Sequence, residues 1–141
     1  TLHFFGETTR DDISYLKQAV FETAQKNKAF PLYLNRIGFF QRGEKGIIWA
    51  GVKESKQLFR LFEALERNLS RQGFAREKKA LRPHITLARE AVAYGSFLQM
   101  ERNVVVEQKE MLVDAITLFE SVRIKGKLVY RPLFREPFAK K

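Results

Sequence analysis

The 141-residue chain has no cysteine, which excludes disulfides and thiolate metal sites. Its two histidines, His3 and His84, are too few for an ordinary zinc site, and no cofactor is expected. The lack of cysteine also fits a cytoplasmic protein. No apolar run approaches the ~20 residues needed to span a bilayer, so no membrane partner is expected and the chain reads as soluble. Nor is there a stretch rich in Pro, Gly or Ser that would act as a linker between domains. What remains is a chain with 45% hydrophobic residues, enough for a true core. Its length suits one domain, and a monomer is expected.

Charge is the strongest compositional feature. Lys and Arg number 26 against 16 Asp and Glu, a formal net charge of +10. A basic balance of this size attracts polyanions and gains from counterion release. A lysine-rich surface serving only solubility gives the same count, and the charge is spread along the chain. It supports a nucleic-acid partner without selecting one.

Periodicity supplies the elements. Thr1–Glu7 alternates like a strand and stops at Gly6. Thr8, Thr9 and Asp11 offer N-cap oxygens ahead of Ile13, Leu16, Val20 and Phe21, whose spacing predicts an amphipathic helix to about Asn27. Phe30–Phe40 predicts a strand, Arg42–Gly46 a turn, and Ile47–Val52 the return strand of a hairpin. Ser55 is placed to cap a second helix with Leu58, Leu61, Phe62, Leu65 and Leu69 on one stripe, ending before Gly73. Arg76–Arg82 reads as a basic loop. Beyond Arg89 come an irregular segment with Tyr94-Gly95-Ser96, a short strand at Val104–Val106, and a longer one over Met111–Val122. Lys125-Gly126-Lys127 is a tight turn leading to a final strand over Leu128–Phe134, and Pro137 onward reads as a loose end. This order, with two hairpins, predicts an α+β domain of two similar halves built on antiparallel sheets.

The stretch with most chemical content is Leu81–Glu90, L-R-P-H-I-T-L-A-R-E. Pro83 fixes the backbone and strand formers follow. In a strand His84 and Thr86 share one face, roughly 7 Å apart, while Ile85 and Leu87 turn toward a core behind. Imidazoles as a class titrate near neutrality, and a hydroxyl can hydrogen-bond an anion, so the pair suits acid–base chemistry on a phosphate. An ordinary strand with a satisfied histidine fits the same residues. By strict alternation Arg89 leans away from His84's face.

The segment Arg82–Arg89 resembles the second signature of the 2H phosphoesterases, in the bacterial and archaeal 2′-5′ RNA ligase branch of RNA 2′,3′-cyclic phosphodiesterases. That family carries two His-x-Thr copies, one per lobe. Thr1, Leu2, Phe4, Gly6 and Glu7 are similar to the tail of the first copy, His-x-Thr-Leu-x-Phe-Leu-Gly-Glu, with Phe5 in the leucine's place. In that register the first histidine would lie two residues before Thr1, and His3 is not its equivalent. The resemblance therefore implies a single two-lobed domain over residues 1–141 that lacks its N-terminal strand and helix.

The resemblance further implies helices outside and sheets lining a central groove, with a pseudo-two-fold relation between lobes. It implies metal-independent hydrolysis of an RNA 2′,3′-cyclic phosphate to a 2′-phosphate, on an RNA end or a small cyclic-phosphate nucleotide. His84, Thr86 and Thr1 would be catalytic. Arg89 and His3 would bind substrate, although Arg89 equally suits solvent or a carboxylate, and His3 suits simple cross-strand packing better than substrate contact. Phe4, Phe5, Phe39, Phe40 and Trp49 suit either base stacking or a core. Ligation through 2′-5′ linkages, another cyclic-phosphate esterase of the superfamily, and a non-catalytic RNA-binding module are the alternatives.

Overall fold

The computed structural model describes residues 1–92, 97–103 and 107–140, with nothing described of the Leu98 and Met100 side chains. The elements in chain order are α1 (Arg10–Gln25), β1 (Phe30–Arg42), β2 (Lys45–Val52), α2 (Lys56–Arg71), β3 (His84–Ala91), α3 (Phe97–Asn103), β4 (Lys109–Val113), β5 (Ala115–Ile124) and β6 (Lys127–Pro137). The fold is α+β with antiparallel sheets, as the periodicity predicts. It divides into two compact units. One holds Thr1–Phe30, Lys56–Leu81 and Val113–Lys141, and the other holds Pro31–Ser55 and Arg82–Leu112.

The first unit packs α1 on the β5–β6 pair and α2 against α1. Thr9 caps α1 in a capping box with Asp12, and Asp11 and Asp12 place negative charge at the positive end of the helix dipole. Helix α2 ends at Gly73, whose φ of 91° only glycine adopts at little cost. The Phe74 N–H then reaches Leu69 O at 3.0 Å and the Gly73 N–H reaches Ser70 O at 3.0 Å, a Schellman arrangement. Phe74 folds back on the core of Leu16, Ala19, Leu65, Leu69 and Leu118, joined by Leu2, Phe5 and Phe134. Between the helices, Asn68 Nδ2 donates to Thr23 Oγ1 at 2.9 Å and the Thr23 hydroxyl donates to Ala19 O at 2.7 Å. The buried polar side chains of Thr23 and Asn68 thus satisfy each other.

The second unit is a four-stranded sheet in the order β3-β2-β1-β4. Gly43 and Glu44 form a two-residue turn between β1 and β2, with Gly43 at φ 63°. Helix α3, not foreseen in the sequence, stacks Phe97 on Phe39 of β1 with ring centroids 5.1 Å apart.

Several expectations are corrected. Thr1–Glu7 forms no strand: among the described residues it joins no ladder, and Leu2 and Phe5 are held by side-chain packing instead. Phe21 is 44% exposed, because the buried stripe of α1 runs through Leu16, Ala19, Val20, Thr23 and Ala24. Met111–Val122 is two strands broken at Asp114, since β4 belongs to the four-stranded sheet and β5 pairs with β6. The C-terminal end is pinned, not loose. Phe138 is buried and stacks on Phe30, and the Ala139 N–H bonds Ala24 O and Asn27 O. The segment Tyr94-Gly95-Ser96 and the strand expected at Val104–Val106 lie outside the described residues. No helix among the described residues is long and apolar enough to cross a membrane.

Candidate active site

His84 opens β3 directly after Pro83, and its imidazole is held from three sides within the second unit. Nδ1 lies 2.6 Å from the Arg82 carbonyl oxygen. A carbonyl can only accept, so Nδ1 carries the proton and Nε2 is left to exchange one. Phe40 and Trp49 meet the ring edge-on, at centroid distances of 5.4 and 6.2 Å. Trp49 in turn packs over Gly38, where an added Cβ would overlap the indole, so that glycine is what leaves the ring its room on β1.

The ladder confirms the face that alternation assigns. Gly51 pairs with His84 and Trp49 pairs with Thr86, so His84 and Thr86 share the Trp49 face, both half-buried. The opposite face is not a covered one at β3. Ile85 is 37% exposed and Leu87 56% exposed, which corrects the expectation that they enter a core. Alternation says which residues share a face but not which face is covered.

Arg89 is a second correction. Trp49 stands opposite Thr86 while Ile48 stands opposite Ala88, so Leu87 is an extra residue in β3, a bulge. The bulge shifts the phase by one. Ala88 joins Ile48 on the Ile85 face, and Arg89 comes round to the face of His84 and Thr86. A second irregularity follows at Glu90, whose φ is 53°. Arg89 is exposed and makes no hydrogen bond or ion pair among the described residues.

One residue on this face carries no signal in the sequence reading. Arg36 of β1 is exposed and pairs with Gly51, in the same cross-strand row as His84. Its guanidinium lies 5.4 Å from the Trp49 ring centroid. Alternation groups Arg36 with Gly38 and Phe40, but only the β1–β2–β3 register shows that this is His84's face.

The other expected site residues lie in the first unit. Thr1 is exposed. His3 points into the unit: its side chain is 7% exposed, and Nδ1 is 2.5 Å from Oε1 of Glu66, itself 4% exposed. Glu66 Oε2 also accepts the Glu77 N–H at 2.9 Å, and Phe5 stacks on the His3 ring at 4.4 Å. Phe4 is 74% exposed. A separate concavity of about 470 Å³ on the helix side of this unit is lined by Lys26, Arg60, Arg67 and Arg71 among others, with no carboxylate in its wall. Among the described residues, no three His, Asp or Glu side chains are placed to share a metal ion.

A tautomer-locked imidazole with a free Nε2, a hydroxyl on the same face and guanidinium groups beside them can move a proton and hold an oxyanion. Comparisons with known proteins identify the family. Residues 1–124 match the family model of the 2′-5′ RNA ligase superfamily. The chain is 26% identical over 139 residues to an RNA 2′,3′-cyclic phosphodiesterase of Thermotoga maritima, an alignment covering 98% of this chain and 74% of that protein. It is 27% identical to one from Aeropyrum pernix, covering 95% of this chain and 78% of that protein. A solved structure from Thermus thermophilus superposes with TM-score 0.81 at 22% identity, covering 100% of this chain and 78% of the other. E. coli LigT complexed with 3′-AMP superposes with TM-score 0.74 at 23% identity, covering 99% and 76%. With its matched residues running from the first through most of its length, the chain belongs to the 2′-5′ RNA ligase superfamily, the 2H phosphoesterases.

Proposed function

We propose that the protein opens 2′,3′-cyclic phosphates at RNA ends, leaving 2′-phosphates. Water attacks phosphorus, the P–O3′ bond breaks, and the 3′ oxygen leaves as a hydroxyl. The reaction needs one proton taken from water and one given to O3′. His84 Nε2 performs one of these transfers, and an imidazole serves either. Thr86 donates its hydroxyl to a non-bridging oxygen, where charge builds in the transition state. Arg89, brought to the same face by the bulge, neutralises that charge. Thr1 belongs to the other His-x-Thr copy, and the His3–Glu66 pair fixes the segment carrying it.

The observation that carries this reading is the His84 Nδ1 hydrogen bond to Arg82 O at 2.6 Å, which leaves Nε2 to exchange a proton in a residue that shares a strand face with Thr86. The names of the Thermotoga and Aeropyrum relatives support the substrate, and the 3′-AMP complex of E. coli LigT supports nucleotide binding.

The test is phosphorus NMR of a 2′,3′-cyclic-phosphate oligonucleotide. Because the resemblance places the other imidazole two residues before Thr1, the protein is assayed carrying those residues. Appearance of a 2′-phosphate resonance is expected, and its persistence in excess EDTA. Binding without any product overturns the hydrolase reading in favour of an RNA-binding module.

A further inference from the structure

Arg36 is held in a way that solvation alone does not require. The β1–β2 ladder slips between Leu34 and Arg36, so Asn35 is an extra residue that sets the phase of the strand beyond it. Arg36 therefore lies opposite Gly51, and Gly51 opposite His84. The backbones of Arg36 and His84 are two strand spacings apart, about 10 Å. The Arg36 side chain narrows that gap by lying across Gly51. A methyl at position 51 would sit 2.5 Å from its Cγ and 2.7 Å from its Nε. Trp49 then stacks against the guanidinium and also borders His84. No carboxylate among the described residues pairs with Arg36. The result is a planar five-donor cation, seated by a glycine and braced by an indole, on the face of His84 and Thr86.

A cyclic phosphate at an RNA end carries one negative charge, which Thr86 and Arg89 already address. The chain continues from that end in the 5′ direction only, and its next phosphodiester carries the next negative charge. Resting on the hydrolase reading above, we propose that Arg36 grips the phosphodiester adjoining the reacting phosphate on its 5′ side, and so selects RNA ends over nucleoside cyclic phosphates. A guanidinium fork matches two phosphate oxygens at once, which an ammonium does not.

The test compares the affinity of an RNA trinucleotide ending in a 2′-phosphate with that of the matching nucleoside 2′-phosphate. Both are products, so binding is read without turnover, by calorimetry over a range of salt. The parent is expected to prefer the trinucleotide. Arg36→Ala is expected to cut the trinucleotide-to-nucleoside affinity ratio about 10- to 100-fold. It should also reduce the steepness of log K against log salt for the trinucleotide by about 0.7, one phosphate contact on a single strand. Arg36→Lys keeps the slope but loses the fork, so its ratio falls less. Gly51→Ala keeps the guanidinium and removes its seat, so its ratio falls toward that of Arg36→Ala.

A ratio unchanged within about twofold in Arg36→Ala, an equal loss for both ligands, or a parent without preference overturns the assignment. The phosphorus NMR separates the two readings. Cyclic-phosphate opening with an unmoved ratio removes only the Arg36 role. A ratio that moves as expected without any opening removes the hydrolase reading and leaves Arg36 as an RNA phosphate ligand.

Discussion

Replacing His3 with alanine is expected to be among the most destabilising single changes in the first unit. The imidazole is 7% exposed and bonds a carboxylate that is 4% exposed, so the pair is out of water on both sides. Removing the imidazole leaves a buried carboxylate oxygen without its hydrogen-bond partner, at a cost of about 1–3 kcal/mol. The Glu77 N–H still serves Glu66 Oε2, so only Oε1 is orphaned. Loss of the His3–Phe5 stack adds about 0.5–1.5 kcal/mol. Against a total stability of ~5–15 kcal/mol for a domain, this is a large fraction. Urea unfolding should show a lower midpoint with an unchanged slope. Glu66→Leu alone strands His3 and the Glu77 N–H, but combined with His3→Ala it removes both partners of the buried hydrogen bond. The double variant should therefore be more stable than the sum of the single changes, by about 1–3 kcal/mol. A His3→Ala protein within about 0.5 kcal/mol of the parent would refute the reasoning, since that is the range of surface substitutions.

His84→Ala is expected to lower cyclic-phosphate opening about 10²- to 10⁴-fold with the unfolding midpoint nearly unchanged, and near-parent turnover would remove it from the site. Thr86→Ala should cost about 10²- to 10³-fold in kcat if its hydroxyl meets the developing charge, read by steady-state kinetics. Gly38→Ala forces a methyl into the Trp49 indole and should destabilise the protein by about 1–3 kcal/mol in urea unfolding. Thr9→Ala should cost about 1 kcal/mol through loss of the α1 cap, measured the same way.

The features legible in the sequence are those set by neighbours along the chain. Helix α2 was marked by Leu58, Leu61, Phe62, Leu65 and Leu69 and stopped by Gly73, because a 3.6-residue period and a positive-φ glycine act within a few residues. The hairpins were marked by Gly43 and by Lys125-Gly126, where two-residue turns need unusual φ values. His84 and Thr86 share a face because a strand repeats every two residues.

Tertiary structure decided everything that depends on which strand lies alongside. Alternation sent Arg89 away from His84, and the bulge at Leu87, visible only against β2, brought it back. Only the β1–β2 register lays Arg36 over Gly51 in His84's row. The ladder sets Ile85 opposite His84's face, as alternation predicts, yet Ile85 and Leu87 remain exposed, because cover comes from other elements and not from period. Likewise nothing near His3 in the chain announces Glu66, 63 residues away. A sequence period fixes the direction of a side chain relative to its own backbone; register, bulges and distant partners fix what that direction meets.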